Sequence, residues 1–203
     1  MASSATDICN LALDLLSSNT IQNVVDPSNA TEEILNRWYN KSRRKVLREH
    51  PWNFATKRAV LAASATDPAF GFTYQYPLPS DFIRLMTLED GNGDWISAEY
   101  YQIENNAILY DGTTLRLRYI YDFTSVPRMD DLFIDWLVYE IALGISYKQT
   151  GSNSDIERIT KLRDMTASKA KAIDGQEHPP LRVERSKIIT ARRVGSRRTD
   201  IIE

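Results

Sequence analysis

The sequence predicts an α+β protein: a four-helix bundle, with two helices from each half of the chain, an antiparallel β domain inserted between the pairs, and an extended C-terminal arm. Three observations lead there. Apolar residues recur at helical spacing over residues 5–49 and again over 132–173, whereas Phe70, Phe72, Tyr74 and Tyr76 alternate strictly, which is the period of a strand. Residues 181–203 carry seven basic side chains against three acidic ones and no aromatic residue, so they have little with which to build a core. The divisions fall at 1–54, 55–122, 123–175 and 176–203.

The first helix is expected over residues 5–17, where Ile8, Leu11, Ala12 and Leu15 share a face. Turn-forming residues fill 18–29. A second helix over 30–49 opens with Glu32 and Glu33, acids that suit the positive end of its dipole. Ile34, Leu35, Trp38, Ser42 and Val46 form its packing face, and Arg37, Lys41, Arg44 and Arg48 form a basic stripe beside it. Pro51 pushes the preceding residue out of the helical region, so this helix should stop at His50. Pro51, Trp52 and Phe54 then read as a structural junction between helices and strands, with His50 set against the helix dipole rather than serving as a base or ligand.

Five or six strands are expected within 55–122. The candidates are 70–76, 83–88, 95–97, 100–103, 108–110 and 114–121, with turns at Asp90-Gly91-Asn92-Gly93 and Asp111-Gly112. Helix returns at 132–147, led by Asp130 and Asp131 and apolar nearly all round, as a central helix is. Gly144 inside it points to a close approach by another element. A fourth helix, 155–173, presents Ile159, Leu162, Thr166, Ala170 and Ile173.

Composition bounds the function. The hydrophobic fraction of 42% and charged fraction of 26% are ordinary for a soluble globular protein. One cysteine, Cys9, excludes an intrachain disulfide and reads as a buried thiol. The N-terminal residues lack a secretory pattern, and the most apolar run, 132–145, falls short of the ~20 residues a bilayer span needs, so no membrane association is expected.

Catalytic motifs are missing: there is no phosphate loop, no nucleophile elbow and no HExxH. His50 and His178 have no ligand neighbours at metal spacing, so neither metal nor cofactor is expected. Asp90 to Asp94 resembles the start of a calcium loop, but Trp95 and Tyr101 stand where glycine and glutamate belong, which favours a hairpin turn. The acid pairs Glu32/Glu33 and Asp130/Asp131 are explained by helix starts. Three roles remain open for the basic stripe: a solvated face, a subunit contact, or nucleic-acid contact. For the arm, the anchors Leu181, Val183, Ile188, Ile189 and Val194 favour ordering on a protein partner over DNA binding.

Four segments resemble the head-to-tail adaptors, or tail tubular protein A connectors, of short-tailed bacteriophages. They are NLALDLL in the first helix, RRKVLREHPWNFATKRAVL, YQYPLPSDFIRL, and DMTASKAKAIDGQE followed by a basic tail; HPWNFA and YPLPSDFIRL are the more specific. The resemblance implies a structural virion protein of the phage neck, assembled in the host cytoplasm rather than an enzyme. It would form a dodecameric ring joining the portal to the tail nozzle, a tail tubular protein B-like partner, with tail fibres as a further partner. Double-stranded DNA would pass through as non-specific cargo. Carried over, Arg182, Arg185, Lys187, Ile188, Ile189, Arg192, Arg193, Arg197 and Arg198 become the portal-binding arm. Arg37, Lys41, Arg44 and Arg48 become a subunit-interface or channel-facing stripe. The alternatives are a nucleic-acid-binding module that uses the basic tail, and a tail-associated peptidoglycan hydrolase.

Overall fold

Helix α1 (Ala5–Asp14) begins where Ser4 accepts from the Asp7 amide while the Asp7 carboxylate accepts from the Ser4 amide, a reciprocal capping box. The computed structural model describes residues 3–149 and 153–177. Among these, the chain is mixed α+β: four helices and two three-stranded antiparallel sheets. α1 is shorter than expected, ending at Asp14, and its buried face uses Ile8, Cys9, Ala12 and Leu13, while Leu11 is exposed. Burial pushes the Cys9 thiol up to about 12, which leaves it protonated and unreactive at neutral pH.

Glu32 does more than favour the dipole of α2 (Ala30–Glu49). Its carboxylate accepts from the Ser28 amide (2.7 Å), the Ser28 hydroxyl (2.9 Å) and the amides of Gln22 and Asn23, so it organises the loop before the helix. These bonds, led by the one from the Ser28 amide, lower its pKa from 4.5 to about 2. A carboxyl depressed on folding stabilises the fold fully above its ordinary value, and that contribution is lost as pH falls toward the folded value. Glu32→Gln is therefore expected to lower the thermal midpoint at pH 7 and to flatten its fall between roughly pH 4.5 and pH 2. Parallel melting-temperature profiles for the two proteins would contradict this.

β1 (Thr56–Leu61), β6 (Leu115–Tyr121) and β3 (Phe82–Glu89) form the first sheet in that order; β2 (Tyr74–Pro77), β5 (Ala107–Tyr110) and β4 (Tyr101–Glu104) form the second. The β4–β5 hairpin turns through Asn105 and Asn106, both at positive φ (43° and 59°), which asparagine tolerates better than most residues. Three expectations need correction. β1 was not anticipated as a strand, because its inward residues Ala59 and Leu61 are few and Val60 faces outward. The aromatic alternation of 70–76 is strand only from Tyr74, because Gly71 at φ +89° breaks the extended backbone and Phe70 is left exposed. Residues 95–97 contribute a single bridge, Trp95 to Glu89.

α3 (Asp131–Gln149) starts where Asp130 accepts from the amides of Leu132 (2.8 Å) and Phe133 (3.1 Å). It packs against α1, α2 and α4 (Asn153–Gln176). Gly144 does allow a close approach, by a side chain: a Cβ there would lie 2.6 Å from Trp38 Cδ2. α4 buries Ile159 and Ala170 as expected, but turns Ile173 outward and buries Asp174 in its place. The helices share one apolar core, which Ile83, Ile120 and Phe123 join from the strand region. A second core lies between the sheets around Tyr76, Ile108, Leu117 and Tyr119.

Candidate functional site

The residues singled out at the end of α2 sit where both helical pairs meet the first sheet. His50 is extended (φ −138°, ψ 146°), as a residue before proline must be. The turn that follows drives Trp52 inward until none of it is exposed, and its indole N–H donates to the Val46 carbonyl at 2.9 Å. Its ring stands edge-on to Phe133 (centroids 5.0 Å apart) and lies 5.7 Å from Phe54 and 5.9 Å from Trp136. Trp52 and Phe54 pack into the apolar core, with Phe54 partly buried against Phe123 and Phe133, and half-buried Pro51 lines the cleft beside them.

His50 is held by a partner the sequence did not suggest. Its Nε2 lies 2.8 Å from Asp174 Oδ2 on α4, whose other carboxylate oxygen accepts from the Asn53 amide at 3.2 Å. The Asn53 side chain donates to the Asp174 carbonyl (3.0 Å), so the last turns of α4 are clamped to the His-Pro-Trp-Asn turn. The junction also grips the sheet: Arg48 Nη1 donates to the Ile83 carbonyl (2.7 Å) and Arg84 Nη1 to the Arg48 carbonyl (3.2 Å). An open cleft of about 390 Å³ runs beside it, lined by His50, Pro51, Arg84, Met86, Arg118 and Asp174 among others.

The four residues of the basic stripe are all exposed, but they differ in what they touch. Arg37 is exposed; Lys41 Nζ sits 4.5 Å from the Trp38 ring centroid; Arg44 pairs with Asp122 (2.6 Å); and Arg48 is committed to Ile83. Its outer half, Arg37 and Lys41, is turned to solvent, while its inner half fastens α2 to the end of β6 and to β3. The nine arm residues from Arg182 to Arg198, like His178, lie outside the described residues.

Two carboxylates that the sequence reading passed over hold the helices to one another and to the sheet. Asp122, one residue past β6, accepts from Arg43 Nη2 (2.8 Å) as well as Arg44. Glu140, buried on α3, takes Lys45 from α2 (2.7 Å) and Arg163 from α4 (3.3 Å). An acid interrupting an otherwise apolar helix was the available signal for Glu140. For Asp122 nothing local distinguishes it from a loop acid, since its partners stand 79 and 78 positions away. Among the described acids Asp135 has its carboxyl pushed up, by burial first and by Asp131 next, yet it does not line this cleft.

Among the described residues no group of three His, Cys, Asp or Glu side chains could hold a metal, and no helix is long and apolar enough to cross a membrane. The Asp90–Asp94 segment is a turn in which Asp90 Oδ1 accepts from the amides of Asn92 (2.8 Å) and Asp94 (2.9 Å), with Gly93 at φ +92°. No protein-family model matches this chain, and no curated protein is significantly similar to it.

Proposed function

We propose that the chain is a ring-forming connector, the head-to-tail adaptor of a short-tailed phage, acting through shape and charge complementarity rather than catalysis. The observation that carries the reading is where its two most specific segments meet. The end of α2 that leads into HPWNFA is joined to YPLPSDFIRL through Arg48, Ile83 and Arg84, and His50 and Pro51 line one cleft with Arg84 and Leu85 at the junction of helices and sheet. A connector that transmits load between two neighbours needs that junction rigid, and plugging, clamping and ion pairing are all concentrated there. The helices would form a four-helix bundle around α3, with the two sheets as an inserted β domain. Arg37 and Lys41, free of the sheet, would be the part of the stripe available to a neighbouring subunit or to the channel.

The seven basic residues of 181–203, with Ile188 and Ile189, would dock on the portal. A chain ending at residue 180 is expected to keep the melting temperature of the full protein and to lose co-sedimentation with portal rings. If the shortened chain still co-sediments, the arm is not the portal contact; if the full chain does not, the connector reading fails.

A further inference from the structure

The last turn of α4 lies beside β3, and β3 leads from there to an acidic, aromatic cleft. Gly175 lines the cleft at the junction together with Met86 and Thr87 of β3. Asp90 follows Thr87 by three residues, about 10 Å along the strand direction. A second cleft of about 310 Å³ opens there, its aromatic part formed by Phe72, Trp95 and Tyr100. Trp95 and Tyr100 are 62% and 61% exposed. The acids Asp90, Asp94, Glu99 and Asp111 line it as well, and no basic residue does.

Two of these carboxylates are committed. Asp90 accepts from the amides of Asn92 and Asp94. Arg116, which strand alternation along β6 turns away from the core between the sheets, lies against the same turn: a Cβ on Gly93 would be 3.5 Å from Arg116 Nη1. Asp111 accepts from the Thr73 amide (2.7 Å) and hydroxyl (3.0 Å). Asp94 and Glu99 are exposed, and their carboxylates have no partner among the described residues. With Arg116 counted, four acids face one guanidinium, so the exposed rings sit in a negative potential. Such a surface suits arginine, which stacks on a ring while pairing with a carboxylate.

We propose that this cleft is the docking site of the chain's own C-terminal arm, within the same copy. Charge is the first observation that chooses this occupant. Residues 185–198 carry six basic side chains and no acid, and Ile188 and Ile189 stand between Lys187 and Arg192. The isoleucines meet the rings, while Lys187, Arg192 and Arg193 meet Asp94 and Glu99. Reach is the second. Lys187 is eleven residues past the end of α4 at Gln176, a length that spans up to about 36 Å when extended. The tether holds the arm at an effective concentration on the order of millimolar, so surface pairs that add little to the melting temperature can still close the contact. The consequence of docking rests on the connector reading: an arm laid on its own β unit is withheld from other partners until a portal surface outcompetes the cleft. The docking itself needs no portal, so its failure and that of the portal experiment are separate results.

Zero-length carbodiimide coupling of the full chain at low ionic strength, followed by peptide mapping, tests it. Lys187 is the one lysine of 181–203, and it should couple to Asp94 or Glu99. In an equal mixture of unlabelled and nitrogen-15 chains the coupled peptides should be all light or all heavy. Acrylamide quenching reads the rings: Trp52 and Trp136 are buried, which leaves Trp95 and the partly buried Trp38 as the accessible indoles. Raised salt, Arg192→Glu with Arg193→Glu, or Asp94→Asn with Glu99→Gln should each increase the quenching constant at least about twofold, and none should do so in a Trp95→Phe background. The inference is overturned if Lys187 couples to neither acid, if mixed-isotope pairs are as abundant as same-isotope pairs, which would place the arm on a neighbouring copy, or if quenching of Trp95 is indifferent to salt and to these substitutions.

Discussion

Trp52→Ala is expected to cost about 3–5 kcal/mol of folding stability, the range for deleting a large buried aromatic. The side chain has no exposed surface and touches two parts of the chain: His50 and Phe54 beside it, and Phe133 and Trp136 on α3. Its removal leaves a cavity too enclosed to be filled by collapse of one neighbour, and it strands the Val46 carbonyl that the indole satisfies. Trp52→Phe restores most of the apolar volume and not the hydrogen bond, so its loss should be clearly smaller. Urea unfolding followed by far-ultraviolet dichroism measures both. A loss under about 1 kcal/mol for the alanine variant would contradict the assignment of this residue as the plug.

The second large effect is expected at Asp122. Arg43 is 7% exposed at its side chain and pairs with Asp122 Oδ1, so Asp122→Ala leaves a buried guanidinium uncompensated, at a cost of about 3–5 kcal/mol. Arg44, half exposed, reaches the same carboxylate from the surface, and Arg44→Ala should cost no more than about 1 kcal/mol. The asymmetry between two arginines on one acid is the specific outcome. Replacing Arg43 by Met and Asp122 by Leu together should recover most of the stability lost in Asp122→Ala, since an apolar pair avoids both desolvation penalties. Equal losses for Arg44→Ala and Asp122→Ala in the same urea series would contradict the account.

What the sequence makes legible follows from how local each signal is. α2 is found residue for residue because turn residues give way at Asn29, Glu32 and Glu33 mark its first turn, and Pro51 stops it, all within one turn of its ends. The turn around Asp90 is likewise written in its own residues. β1 is obscure because TKRAVL becomes a strand through pairing with β6, across a gap of more than fifty residues, and its outward Val60 masks the alternation. Phe70 and Phe72 imitate a strand because aromatic spacing carries no information about a partner, and β5 is only long enough to pair with 74–77.

The site shows the same division. Trp52 and Phe54 could be placed at the junction from the helix stop that precedes them, but the Asp174 clamp on His50 spans 124 positions and has no sequence signature. The basic stripe is visible on a helical wheel, yet the wheel cannot show that Arg44 and Arg48 are spent on the sheet. That Arg116 points away from the core between the sheets could have been read, since Leu-Arg-Leu-Arg in β6 has the strand period with apolar and basic residues on opposite sides.

The most direct measurement of the connector proposal is electron microscopy of the full chain mixed with portal rings of a short-tailed phage. The connector account predicts a second ring stacked coaxially on the portal, with twelvefold symmetry and an open central channel. Portal rings left bare, or decorated by scattered single copies without a closed ring, would contradict it.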